Sequence, residues 1–130
     1  MRTKYGDIIK KYSDMYGLDS NLMMAIVAHE SGGKNLKENV SGDRGVAQIN
    51  KSWNGKSMAV QNYKTNSNET LKVDADKLYD EDYNIKTSCM IFSQLLKENR
   101  YNVPASVQAY NYGTPYTKNV IEKYAKTNTV

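Results

Sequence analysis

The chain has 130 residues, with 18 Lys and Arg against 14 Asp and Glu, a formal net charge of +4 and a pI near 9.0. That length fits one domain, with no room for a second core, and about two-thirds of the unfolded surface is expected to be buried. The lone cysteine excludes an internal disulfide, no apolar window approaches the ~18 residues of a membrane span, and scattered lysines single out neither nucleic acid, anionic membrane nor anionic cell wall.

The opening stretch MRTKYGDIIKKYSDMYG lacks the unbroken apolar centre of a signal peptide. Ile8, Ile9, Tyr12 and Tyr16 recur at helical spacing, and Gly17 is the stop. Asp19 is an N-cap for a second helix over Ser20–Ser31, with Leu22, Met23, Ile26, Val27 and Glu30 around one broad side. Residues 32–56 hold Gly32, Gly33, Gly42, Gly45 and Gly55, too many for regular helix, and predict loops with a small β-excursion. The polar segment NYKTNSNETLK (62–72) is expected to be mobile.

A short helix is expected near Asp74–Asp80 and a longer one over Tyr83–Asn99. In the longer one Ile85, Cys89, Phe92 and Leu96 fall at spacings of four, three and four, which makes Cys89 a core residue rather than a nucleophile. Asn102 and Pro104 open another helix ending near Gly113, and Thr114–Pro115 starts the last. No internal repeat or linker interrupts the chain. The architecture is mainly α, a single helical domain over residues 1–130 with a glycine-rich segment after the second helix.

Glu30 closes an apolar run and precedes flexible glycines. A carboxylic acid in partly apolar surroundings has a raised pKa, because desolvation penalises the charged form, and can serve as a general acid near neutral pH. A glutamate at a helix end can equally be solvated. In SGDRGVAQINKSWNG (41–55), Gly42 and Gly45 permit positive φ and close ligand approach. Gln48 and Asn50 carry amides suited to sugar hydroxyls and N-acetyl groups, and Trp53 has an apolar face for a sugar ring. Tyr110 and Asn111 come at a helix end; Gln48 and Tyr110 each keep a purely structural alternative. His29 is the only histidine, which excludes a histidine-rich metal site and argues against a triad. DADKLYDEDYN has the acidity of a calcium loop, but Leu78 and Tyr79 stand where an oxygen ligand and a glycine are required.

Glu30-Ser31, Gly45-Val46-Ala47-Gln48-Ile49, Asn84-Ile85 and Ala109-Tyr110-Asn111-Tyr112-Gly113 resemble, in order and spacing, the ES, GLMQI, NI and AYNxG motifs of lysozyme-like lytic transglycosylases. The resemblance runs from about Leu18 to Tyr124. It implies an α+β lysozyme-like fold and cleavage of the β-1,4 bond between N-acetylmuramic acid and N-acetylglucosamine in peptidoglycan, with no cofactor and no metal. By position, Glu30 matches the catalytic acid/base and Ser31 a serine near that carboxyl and the sugar. Gln48, Tyr110 and Asn111 match residues lining the cleft, to which Asn50 and Trp53 are added as substrate contacts. Tyr12, Tyr16, Tyr116 and Tyr124 fit core faces, whereas Tyr63, Tyr101 and Tyr112 are freer to stack on glycan. The expected partner is the peptidoglycan glycan strand and not nucleic acid, met by a monomer at the bacterial cell wall. Delivery is expected to be phage-borne, machine-associated or as part of a larger exported protein.

Two departures stand out. Ala47 replaces the family's methionine, and Gly42-Asp43 replaces its usual Gly-Ala. DRGVAQIN instead resembles the D-x-G-x-x-Q-I-N segment of animal lysozymes, whose aspartate is the second catalytic carboxylate; goose-type lysozymes also carry a GDRG run. Asp43 thus divides two chemistries. With one carboxylate the sugar's own 6-hydroxyl closes a 1,6-anhydro ring; with Asp43 as a second carboxylate, water hydrolyses the bond. Asp43 as an ordinary turn residue remains a third reading. The matching cleft motifs favour transglycosylation. A non-catalytic glycan-binding module is the alternative of another class, against which stands the retained Glu30.

Overall fold

The computed structural model describes residues 4–111, with Asn111 by its backbone alone. The expected last helix, with Tyr112, Gly113, Tyr116 and Tyr124, lies outside the described residues. In chain order the elements are α1 (Gly6–Met15), α2 (Ser20–Ser31), β1 (Asp43–Arg44), β2 (Ile49–Asn50), β3 (Ser57–Asn62), β4 (Ser67–Lys72), α3 (Glu81–Glu98) and α4 (Val103–Asn111). Short 3-10 turns fall at Lys51–Trp53 and Ala75–Lys77.

Local chemistry explains the helix ends. The Asp19 carboxylate accepts from the backbone N–H of Asn21 and Leu22, satisfying amides that have no partner inside α2. Gly32, at φ +65°, ends that helix. Asp80 caps α3 by accepting from Tyr83 N at 2.9 Å. Glu81 and Asp82 in its first turn and Lys97 in its last complement the helix dipole. Its C-terminus closes with Arg100 N donating to Lys97 O and Tyr101 N to Leu96 O, a Schellman pattern. Arg100 and Tyr101 occupy the left-handed region there, at φ +54° and +63°, where glycine is usual.

The core joins Ile9 of α1 and Tyr16 at its C-cap, Met23 and Ile26 of α2, and Ile85, Cys89 and Phe92 of α3. Met58 and Val60 of β3 close it from the side. Cys89 is buried and free, and burial pushes its thiol up to about 12.

Two expectations are corrected. Residues 62–72 are not a mobile segment: β4 pairs antiparallel with β3, from Ser57 opposite Lys72 to Asn62 opposite Ser67. A polar strand is stable here because its backbone groups bond to β3, whose alternate residues Met58, Val60 and Asn62 point inward. Glu69 adds an anchor, accepting from Tyr16 Oη and Asn62 Nδ2 at 2.9 Å and pairing with Lys86 at 3.1 Å. The short helix near 74–80 contracts to the 3-10 turn, capped by Asp74, before Leu78 is drawn into the core. The glycine-rich segment does make a small β-excursion, β1 on β2, with Asp43 opposite Asn50 and Arg44 opposite Ile49.

Candidate active site

The segment 44–48 is held by one buried side chain. Asn84 of α3 donates from Nδ2 to Arg44 O at 2.9 Å and Leu78 O at 2.8 Å, and its Oδ1 accepts from Ala47 N at 2.8 Å. This contact requires glycine at 45. Gly45 lies at φ +80°, and a Cβ there would meet Asn84 Nδ2 at 2.3 Å and Leu78 O at 2.4 Å. The close approach that the sequence suggested for Gly45 is therefore to the protein itself. Arg44, donating to Glu38 Oε1 at 2.8 Å and Ala75 O at 2.9 Å, pins the outer side of the same segment.

Asp43, Gln48 and Asn50 meet through Asn39. Asn39 Nδ2 donates to Asp43 Oδ2 at 3.0 Å and to Gln48 Oε1 at 3.3 Å, and Asp43 N donates back to Asn39 Oδ1 at 2.9 Å. Asn50 Nδ2 reaches the other carboxylate oxygen, Asp43 Oδ1, at 3.0 Å, and also Ser41 O at 2.8 Å. Gln48 Nε2 donates to Gly45 O at 2.8 Å, so its amide is engaged at both ends and the residue is only 8 % exposed. Gln48 itself takes φ +51°, which turns the chain from β1 back into β2.

Tyr110 approaches from α4. Its hydroxyl shares a 2.9 Å hydrogen bond with Ser88 Oγ and donates to Ala47 O at 3.3 Å, while its ring packs edge-on against Phe92. Burial pushes the Tyr110 phenol up, and the negative charge of Glu30 pushes it further, against the Ser88 hydrogen bond. The same coupling brings Glu30, half-buried on the last turn of α2, into electrostatic range of Tyr110. Ser31 is 8 % exposed, and its Oγ donates to Val27 O and accepts from Gly33 N and Lys34 N. That hydroxyl serves the helix end; it steers the chain away from α2 immediately after Glu30.

An open pocket of about 350 Å³ is lined by Asp43, Gln48, Asn50, Trp53 and Tyr110, together with Ser41, Ser52, Lys56, Ile49 and Ile91. The Lys56 ammonium stands 5.1 Å from the centre of the Trp53 ring. The pocket joins the Asp43 carboxylate, one aromatic face, several amides and a cation around a ligand-sized space, which suits a hydroxyl-rich ligand; Glu30 is not one of its lining residues. The side chain of Asn111 lies outside the described residues. Sequence reasoning missed Asn39, Ser88 and Lys56, which no motif marks, and saw Asn84 only as part of a motif without its clamping role. Among the described residues no cluster of metal-ligating side chains occurs, and no helix is long and apolar enough to cross a membrane.

A family model described as the transglycosylase SLT domain matches residues 7–129. Among solved structures, the chain is similar to an inactive mutant of the lytic transglycosylase Slt from Pseudomonas aeruginosa, with 17% identity and a TM-score of 0.67 over 95% of this chain and 20% of that one. It is also similar to the 70-kDa soluble lytic transglycosylase in complex with bulgecin A, with 20% identity and a TM-score of 0.66 over 95% of this chain and 19% of that one. The chain thus spans about a fifth of the length of either, and the likeness is one of fold. No curated protein matches. The fold is the lysozyme-like one, α-rich with small antiparallel strand pairs.

Proposed function

Because this chain belongs to the transglycosylase SLT domain family, we propose that it is a peptidoglycan-cleaving lytic transglycosylase, acting as one catalytic domain with Glu30 as acid/base. The observation that carries the reading is the half-buried Glu30 on the last turn of apolar α2, near enough to Tyr110, on the wall of the open pocket, for its charge to act on that phenol. The protonated Glu30 carboxyl donates to the oxygen bridging N-acetylmuramic acid and N-acetylglucosamine, and the carbon–oxygen bond breaks. The carboxylate left behind takes the proton of the muramic acid 6-hydroxyl as that oxygen bonds to C1, closing the 1,6-anhydro ring and restoring the acid. Trp53 supplies a face for a sugar ring, Asn50 and Gln48 line its polar edge, and Tyr110 backs the reacting residue. The inactive mutant of the Pseudomonas aeruginosa Slt replaces a glutamate by glutamine, which agrees with one essential carboxyl.

A second reading is hydrolysis, favoured by one observation: Asp43 also lines the pocket. Against a nucleophilic Asp43 stands the use of both its carboxylate oxygens by the amides of Asn39 and Asn50. Mass analysis of digested peptidoglycan separates the two, because anhydro and reducing ends differ by one water. Anhydro ends are expected, with Glu30→Gln at least about 100-fold slower yet folded by circular dichroism. Asp43→Asn is expected to keep the anhydro product. Reducing ends from wild type, with a folded but inactive Asp43→Asn, would make the enzyme a muramidase.

A further inference from the structure

A second cavity, of about 230 Å³, lies between the α1–α2 turn, the β3–β4 hairpin and the C-terminal half of α3. It shares no lining residue with the pocket lined by Asp43, Trp53 and Tyr110. Leu18, on its wall, precedes α2, whereas Glu30 is the next-to-last residue of that helix, so roughly 15 Å of helix rise lies between the start of α2 and Glu30. Nothing in the proposed reaction uses this cavity.

Its composition is specific. Tyr63 and Tyr101 stand at its rim, 53% and 65% exposed, among the most exposed large hydrophobic residues described. The main chain is held at both. Tyr63 N donates to Met15 O at 2.8 Å, and its ring lies so close over Gly17 that a Cβ there would sit 2.6 Å from it. Tyr101 is held outward by the Schellman turn ending α3, in a left-handed conformation that is an outlier for a bulky residue. Such outliers concentrate at functional sites. Between the tyrosines the wall carries the carboxamides of Gln61, Asn68 and Gln94 and the Lys97 ammonium.

We propose that this cavity is a secondary binding site for the peptidoglycan glycan strand, holding the polymer while the catalytic site proposed around Glu30 acts on it; the identity of the polymer rests on the catalytic reading above. Exposed tyrosine rings offer stacking faces to sugar rings, carboxamides pair with hydroxyl and acetamido groups, and Lys97 meets the carboxylates of a peptide-bearing strand. The chain's net charge of +4 favours the same anionic polymer. Because the two cavities are separate, only a long strand can occupy both.

Co-sedimentation with purified sacculi tests the site, using Glu30→Gln so that the wall is not digested during binding. Tyr63→Ala with Tyr101→Ala is expected to weaken binding about tenfold. In the Glu30 background the double variant should solubilise sacculi several-fold more slowly while cleaving a short soluble N-acetylglucosamine–N-acetylmuramic acid oligomer at the wild-type rate. Tyr101→Gly is the second variant: glycine suits its φ, so thermal stability should hold or rise while sacculus binding falls. Sacculus binding within twofold of the parent in both variants, or equal losses on polymer and oligomer, would overturn the site. Tyrosine-dependent binding by a wild type that cleaves nothing would keep the site and remove the catalytic reading; cleavage with tyrosine-independent binding would do the reverse.

Discussion

Gly45→Ala tests whether one contact holds the segment that carries Gln48 into the pocket. The new methyl group would need to occupy space 2.3 Å from Asn84 Nδ2 and 2.4 Å from Leu78 O, and the second of these is backbone that cannot swing aside. An alanine at φ +80° costs about 1–2 kcal/mol from its own conformation. Displacing Asn84 then strands one or two buried groups among its three hydrogen-bond partners, at about 1–3 kcal/mol each. The sum is roughly 2–8 kcal/mol, a large share of the 5–15 kcal/mol that a domain ordinarily has. Thermal melts followed by circular dichroism should show a midpoint lower by about 6–30 °C, on the usual scaling for a chain of this size. Asn84→Ala removes the same clamp from the other side, so the double variant should cost clearly less than the two singles added. A Gly45→Ala midpoint within about 3 °C of wild type, or strict additivity with Asn84→Ala, would refute the clamp.

Burial pushes the Glu69 carboxyl up, but hydrogen bonds from Asn62, Lys86 and Tyr16 outweigh it and hold it below the ordinary 4.5. A lowered native pKa gives stability that is complete above 4.5 and is lost as pH falls through the native value. Glu69→Gln should therefore flatten the acid limb of the stability–pH curve; an unchanged limb in urea titrations from pH 6 to 3 would reject the anchor. Cys89, with its thiol pushed up to about 12 in a sealed core, should react with an aromatic disulfide reagent only as fast as the whole molecule opens. Prompt stoichiometric labelling of the native protein would contradict that burial.

Some of this protein is legible without coordinates. The bounds of α2 follow from Asp19 before it and Gly32 after it, because capping is settled within four residues. The α3 stripe of Ile85, Cys89 and Phe92 is likewise set by helical period, and it is the face that enters the core. Other features depend on partners far along the chain. NSNETLK has neither apolar alternation nor high strand propensity, and it becomes β4 only because β3 offers a full ladder of hydrogen bonds and Glu69 reaches Tyr16 and Lys86. The need for glycine at 45 arises from Asn84, thirty-nine positions away, so φ preference suggested the residue type and tertiary contact supplied the reason. Motif order singled out Glu30, Gln48 and Tyr110, but not that Asn39 joins Gln48 to Asp43 or that Ser31 turns its hydroxyl to the backbone. Hydrogen bonds between side chains are made by proximity in space, and proximity in space is the property that a one-dimensional pattern of residue types does not carry.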